Sequence, residues 1–417
     1  MKKALLSLAA IMIVALPVLA KMPKINVKGE IRVRGEEINN VGDFKNFDVT
    51  NAPLADDKDS HVKHRVRVWL DSELSDGVGA HICLQKADGT PTYWANQGAG
   101  NLNKLQDNIA LRHAYFTIDD VAGLADLSLG RQGIGELNRE LVLWYDAIDA
   151  KKASAKLGNL SLSGICGKTV ENGNANDTDT DIQGLNGSIN LDLLGGIDLA
   201  GYGYRAITHM ANKTLNQKNN VIGGKVSGSL DIASTLNYSA EYARQTGTQN
   251  TRDADIKAHA YRVCLGYTTE VEGLGKLSLE GSYLKMSGSE MVGNVAGSKS
   301  YTGITPNLDY YAALVDQGIG TFNTMTGVNG RKDFNINAQI TPEAIDNITL
   351  GISYTNFSTA EKRGGKTNLG SELDLSCSYK YSDTTSITGT YARFSPGDLI
   401  NGSDAATMLR CELLTKF

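Results

Sequence analysis

Cations at alternate positions are the residues here whose type and spacing could do chemistry. Segment 25–36 carries Lys28, Arg32 and Arg34 on one parity, and segment 62–73 repeats this with Lys63, Arg65 and Arg67. Arg112 and Arg410 fall on the same parity of two further segments, and Arg131 and Arg262 are further candidates. Arginine keeps its charge at any working pH and grips carboxylates or phosphates with a bidentate fork. Acids interleave with these cations: Glu30, Glu36, Asp71, Glu73, Glu372, Asp374 and Glu412. Arg32, Arg34, Lys63, Arg65, Arg67, Arg112, Arg262, Arg410, Glu372 and Asp374 are therefore expected to line one mixed polar surface. Such a surface acts either as a filter for anionic solutes or as an internal hydrogen-bonded network.

Other chemistries find little support. Asp177, Asp179 and Asp181 alternate in 172–182 as oxygen ligands of a calcium loop would, but the stretch lacks the Gly and closing Glu of an EF-hand. They are kept as a weak metal candidate beside a solvated acidic loop. The six histidines show no HExxH, no GxSxG elbow is present, and GRQGIGE has no βαβ context. No enzyme activity and no cofactor are expected. Cys83, Cys166, Cys264, Cys377 and Cys411 are widely spaced and odd in number, so they are read as strand residues rather than disulfides. With 41 basic against 46 acidic residues the chain is no general nucleic-acid binder.

The elements that position these residues are strands. Ile25, Val27, Ile31 and Val33 oppose the polar parity of 25–36, and Phe334, Ile336, Ala338 and Ile340 oppose Asn335, Asn337 and Gln339. Alternation of this kind gives a strand one apolar and one polar face. A chain with 45 Gly and only 7 Pro suits many strands and turns. Eighteen such segments can be marked between 25 and 417, with 16 as the alternative count because parity is weak over 182–229. Long connections (37–59, 87–108, 134–141, 170–181, 206–219, 244–255, 288–331, 358–366, 395–404) alternate with short ones. That is the pattern of a transmembrane antiparallel β-barrel, all-β, with lipid on its apolar face and a polar lumen. Arg131 shares parity with Leu127 and Leu129, so it would face lipid; either a bulge at Gly130 turns it inward or it sits at the interface.

The ends agree. Lys2 and Lys3 precede an apolar run ending Val18-Leu19-Ala20, which reads as a signal peptide over 1–20, leaving the barrel over 21–417. Segment 407–417 alternates and closes on Phe417, as the last strand of outer-membrane barrels does, an aromatic read by the insertion machinery. Tyr238, Tyr242, Tyr261, Tyr267, Tyr283, Tyr354, Tyr379, Tyr381 and Tyr391 share the lipid parity, as interfacial girdles require.

The stretch 369–400, LGSELDLSCSYKYSDTTSITGTYARFSPGDLI, is similar to the C-terminal part of the alginate-export family of outer-membrane barrels. It has that family's GxExD strand (Gly370, Glu372, Asp374), Tyr379 and Tyr391, and the loop Phe394, Pro396, Gly397, Asp398. LGRQGIGELNRELVLWYDAIDA (129–150), GEIRVRGE and VKHRVRVWLDSEL also resemble its strands. The resemblance implies an 18-stranded, porin-like channel in the bacterial outer membrane and an inward Arg131. The expected function is passage of anionic or sugar-acid solutes, or export of an alginate-like polysaccharide, by a monomer. The alternatives are a general porin and a loop-plugged surface receptor or adhesin, with 37–59 and 288–331 as the plug candidates.

Overall fold

Period-two sequence produces strands throughout. The computed structural model describes residues 24–40, 58–86, 95–97, 109–135, 141–142, 144–170, 179–193, 195–209, 217–231, 234–249, 254–289, 299–304, 312–315, 322–400, 402 and 404–417. Eighteen wall strands follow in chain order: β1 Lys24–Asn39, β2 Asp59–Ser75, β3 Val78–Lys86, β4 Ile109–Val121, β5 Ala125–Gly135 and β6 Trp144–Leu157. Next come β7 Leu160–Val170, β8 Thr180–Leu191, β9 Ile197–Thr208, β10 Gln217–Asp231, β11 Thr235–Gln249 and β12 Ala254–Val271. The last six are β13 Gly275–Met286, β14 Arg331–Thr341, β15 Ile348–Arg363, β16 Lys366–Lys380, β17 Thr385–Pro396 and β18 Ala406–Lys416. Each is antiparallel to its neighbour, and the final strand pairs with the first, so the sheet has no open edge. The expected count of 18 holds over 16. A three-residue strand, Ala95–Gln97, adds to the upper half of β2 beyond the short β3.

Closure falls on the last residue. The Phe417 backbone exchanges two hydrogen bonds with Gly29, at 2.7 and 3.0 Å. Its ring lies over Gly29, where a Cβ would sit 2.0 Å from a ring carbon, so any larger residue there must displace the ring.

One parity of each strand looks outward, and it is apolar: Ile25, Val27, Ile31, Phe334, Ile336, Leu350 and Ile352 are all exposed. The other parity buries polar groups, among them Glu30, Arg34, Glu36, Arg65, Gln85 and Glu372. A soluble core would invert that arrangement; lipid outside and water inside explain it. No helix among the described residues is long and apolar enough to cross a membrane, so crossing is by strands. The expected tyrosines also sit on the outer parity, for example in the paired rows Tyr242–Tyr261 and Leu375–Tyr391.

Two connections are shorter than expected. β15 and β16 extend until only Gly364 and Gly365 separate them, with φ of 59° and 83°. Two positive φ values give the primed turn that matches strand twist, so 358–366 is a projecting hairpin rather than a loop. Likewise β11 and β12 reach residues 249 and 254, shortening the expected 244–255 connection. The five cysteines are free thiols on different strands.

Candidate functional site: a charged ladder and a loop inside the barrel

The lumen is built on β18, β1, β2, β3 and β4, which are consecutive around the wall. Inward residues of one strand recur every ~6.8 Å, so Arg32 and Arg34 of β1 stack along the pore axis. Register places Arg65 opposite Arg32, Lys63 opposite Arg34, and Arg410 opposite Glu36. Seven expected cations, Arg32, Arg34, Lys63, Arg65, Arg67, Arg112 and Arg410, therefore share one inner surface.

Carboxylates hold much of it in place. Arg65 donates to Glu30 Oε1 from Nε at 2.9 Å and Nη2 at 2.5 Å. Arg34 donates to Glu412 Oε2 at 2.9 and 2.7 Å. Glu36, with its side chain fully buried, takes Arg410 Nε at 2.6 Å, Lys63 Nζ at 2.9 Å and Arg34 Nη1 at 3.4 Å. Arg32 stands between Glu30 and Glu412 at 3.8 and 3.7 Å. Between Glu30 and Glu36 these seven cations outnumber the three carboxylates that hold them; further down the same face Lys28 pairs with Asp71, and Glu73 is also inward. The carboxylates and cations form the internal hydrogen-bonded network that is one reading of the sequence.

Arg67 and Arg112 are held differently. Both donate to Gln85 Oε1, at 2.8 and 2.6 Å, so a neutral amide orients two guanidiniums without cancelling their charge. Arg112 is the extra residue where the β3–β4 register shifts between Leu111 and His113. Arg67 Nη2 is buried without a hydrogen-bond partner. A buried orphan donor of this kind is costly unless a ligand or water satisfies it. Gln85 does not stand out in the sequence, because a glutamine at inward parity carries no signal by itself.

Glu372 and Asp374 also face inward, but they grip a loop. Glu372 accepts the backbone N–H of Leu314 at 2.6 Å and of Val315 at 3.1 Å, and Asp374 accepts that of Ala313 at 2.9 Å. The segment belongs to the connection between β13 and β14. Its apolar side chains pack with Ile38, Phe357, Phe394, Ala406 and Met408, which seats it beside the long-loop end of the ladder. An earlier part of the same connection is pinned elsewhere: Tyr301 donates to Leu141 O at 2.8 Å, and Gln245 Oε1 accepts Thr302 N at 2.8 Å. Tyr301 is fully buried against the inward face of β5–β13, including Ile148, Tyr202 and Tyr204. The connection is therefore anchored to separate parts of the inner wall, and it narrows the pore. A further inward pair, Arg331 with Asp333 at 2.5 Å, lies at the start of β14.

The remaining expected sites separate from the ladder. Arg262 faces inward on β12, lining a 760 Å³ vestibule at the short-turn end with Glu280, Asn337 and Gln339. Arg131 is a correction: it points outward. It pairs in register with Ala114 and Asp149, and although Gly130 has φ 129°, no residue is inserted there and alternation continues. Gln132 takes the inward place, buried among Ser128 and backbone carbonyls. Arg131 lies 3.5 Å from Asp149 four residues from the strand end, where a lipid-facing Arg costs roughly 0–1 rather than 2–4 kcal/mol. Asp179 pairs with Lys168 and Asp181 with His209, at 2.9 Å for the latter, so their carboxylates serve different cations. Asp177 lies outside the described residues, and among those described no group of three potential ligands could hold a metal.

A closed barrel with an apolar outer wall and a charged, loop-narrowed lumen defines an outer-membrane channel. The family model for alginate export matches residues 29–412, and the chain belongs to that family. No curated protein matches the sequence. Among solved structures it is similar to Pseudomonas aeruginosa OccK9 (OpdG), with TM-score 0.61 and 13% identity over 94% of this chain and 98% of that one. OccD3 (OpdP) of the same organism gives 0.58 and 12%, covering 94% and 91%. P. aeruginosa OpdK, solved with vanillate, gives 0.54 and 10%, covering 94% and 98%. At such identities these structures share the fold. The protein is a bacterial outer-membrane channel of the alginate-export family.

Proposed function

We propose that the channel selects carboxylate-bearing sugars or small organic acids, passing them along the β18–β1–β2–β3–β4 ladder below the constricting loop. The preponderance of cations over carboxylates on the inner wall between Glu30 and Glu36 carries this reading. Charged walls set selectivity in a water-filled pore. Cations at ~7 Å intervals offer a moving carboxylate a new partner before it leaves the last. Arg67 and Arg112, held by Gln85, are the groups best placed to contact the solute. The vanillate solved with OpdK is an aromatic carboxylate, and solutes of that charge suit the same chemistry. Membership of a channel family supports passage of the cargo unchanged. Residues 1–20 direct export, Phe417 completes the closing strand for insertion, and one chain forms one pore.

The test is block of single-channel current in planar bilayers. Uronate oligomers are expected to interrupt the current, with residence rising as salt falls, and neutral oligosaccharides of equal length are not. Equal block by both would leave a general porin. A barrel that carries no current would point instead to a receptor closed by its loops.

A further inference from the structure

The outer wall has one region that plain lipid does not explain. On β5–β10 the outward residues form registered rows, and the row Leu129, Lys151, Cys166, Gln183, Arg205, Asn220 is polar on four of six strands. The row above it, toward the long loops, holds Arg131, Asp149, Lys168 and Asp181, and those charges are paired, Lys168 through Asp179 and Asp181 through His209. Lys151 has no ion-pair partner among the described residues, and Arg205 Nε is buried with no hydrogen-bond partner. Two cations thus stand on a membrane-facing wall with their charge unanswered by the described protein.

The row below is apolar and dented. Ala153, Gly164 and Gly203 lack bulk, while Leu127, Leu185 and Ile222 stand out around them. Together these rows enclose a groove of 860 Å³ in which Lys151 and Arg205 join the apolar residues. Its long-loop end is cationic and its short-turn end is hydrocarbon. At ~4.8 Å per strand the two backbones are about 14 Å apart, within reach of one headgroup for two such long side chains. Outward cations recur at the long-loop ends of other strands, as Lys218, Lys285 and Lys332. Long loops mark the extracellular side.

We infer that this groove binds a phosphate-bearing lipid of the outer leaflet, its acyl chain along Ala153, Gly164 and Gly203 and its phosphate between Lys151 and Arg205. Arginine's fork and the lysine ammonium both suit a phosphate, and each basic residue near a membrane surface adds measurably to attraction for anionic lipid. The orphaned Arg205 N–H gains an acceptor in this arrangement.

Native mass spectrometry of the full barrel, released from detergent after addition of bis-phosphorylated lipid A, tests the assignment. Wild type is expected to retain lipid A in preference to phosphatidylcholine and to dephosphorylated lipid A. The Lys151→Gln/Arg205→Gln variant is expected to bind lipid A at least tenfold more weakly. Lys225→Gln, on the inner face, serves as the control and should bind as wild type does. Conductance equal to wild type would show that the double variant is folded; should it fail to fold, Lys151→Gln alone is read for the same loss. Equal retention of phosphorylated and dephosphorylated lipid A, or unchanged binding in the variant, would overturn the proposal. A mass of two chains without lipid would instead assign the patch to a second copy.

Discussion

Replacing Arg67 and Arg112 with glutamine isolates the charge of the ladder from its architecture. Both guanidiniums donate to the neutral Gln85 Oε1, so their removal does not strand Glu30 or Glu36 in the way that loss of Arg65 or Lys63 would. An ion passing ~7 Å from each feels about 1 kcal/mol per charge at an effective dielectric near 40. The sign is opposite for anions and cations, so two charges shift their energy difference by about 4 kcal/mol before screening. At 0.1 M salt the Debye length of ~10 Å leaves roughly half of that. About 2 kcal/mol corresponds to a loss of more than tenfold in the anion-to-cation permeability ratio. The assay is the reversal potential of single channels under a KCl gradient. The same double variant at 1 M salt, where the Debye length is ~3 Å, should be nearly indistinguishable from wild type. An unchanged reversal potential at low salt would refute the ladder as a selectivity device.

Three further perturbations probe other parts of the structure. Arg65→Met leaves the Glu30 carboxylate buried without its bidentate partner, and a destabilisation of about 3–5 kcal/mol is expected in urea unfolding from lipid vesicles; a cost below about 1 kcal/mol would mean water already satisfies Glu30. Glu372→Ala with Asp374→Ala removes three acceptors from the backbone of Ala313, Leu314 and Val315, each contributing about 1 kcal/mol as a hydrogen bond. Larger, noisier conductance and faster proteolysis around residues 312–315 are expected, and a current trace matching wild type would show that the loop is held by its apolar contacts alone. Gly29→Leu drives a side chain into the Phe417 ring; slower barrel assembly is expected in heat-modifiable gel mobility, and normal assembly would mean the ring relocates without consequence.

Much of this barrel is legible in sequence because its wall obeys one rule. Where apolar parity meets lipid, as in 25–36 and 334–340, strand, face and neighbour all follow from alternation. Over 182–229 the rule blurs for a physical reason. Ile182, Tyr202, Tyr204 and Val221 face inward against the loop bearing Tyr301, while Gln183, Arg205 and Asn220 face outward. The parity there is inverted by a packed interior and a polar outer patch, so strand-level hydropathy loses its contrast. Arg131 is misplaced by sequence reasoning because a glycine before an arginine suggests a bulge; the backbone takes the unusual φ without inserting a residue. The inward parity of Glu372 and Asp374 is legible, but their partners are backbone N–H groups about sixty residues away in sequence, which no local pattern reveals. Gln85 escapes for the related reason that its role depends on two guanidiniums arriving from different strands.

Wild-type single-channel recording in a planar bilayer under a salt gradient tests the central claim most directly. Steady conductance is expected, with a reversal potential on the anion-selective side that relaxes toward zero as salt is raised. A silent barrel, or a steady current with cation preference, would contradict an anion-conducting ladder.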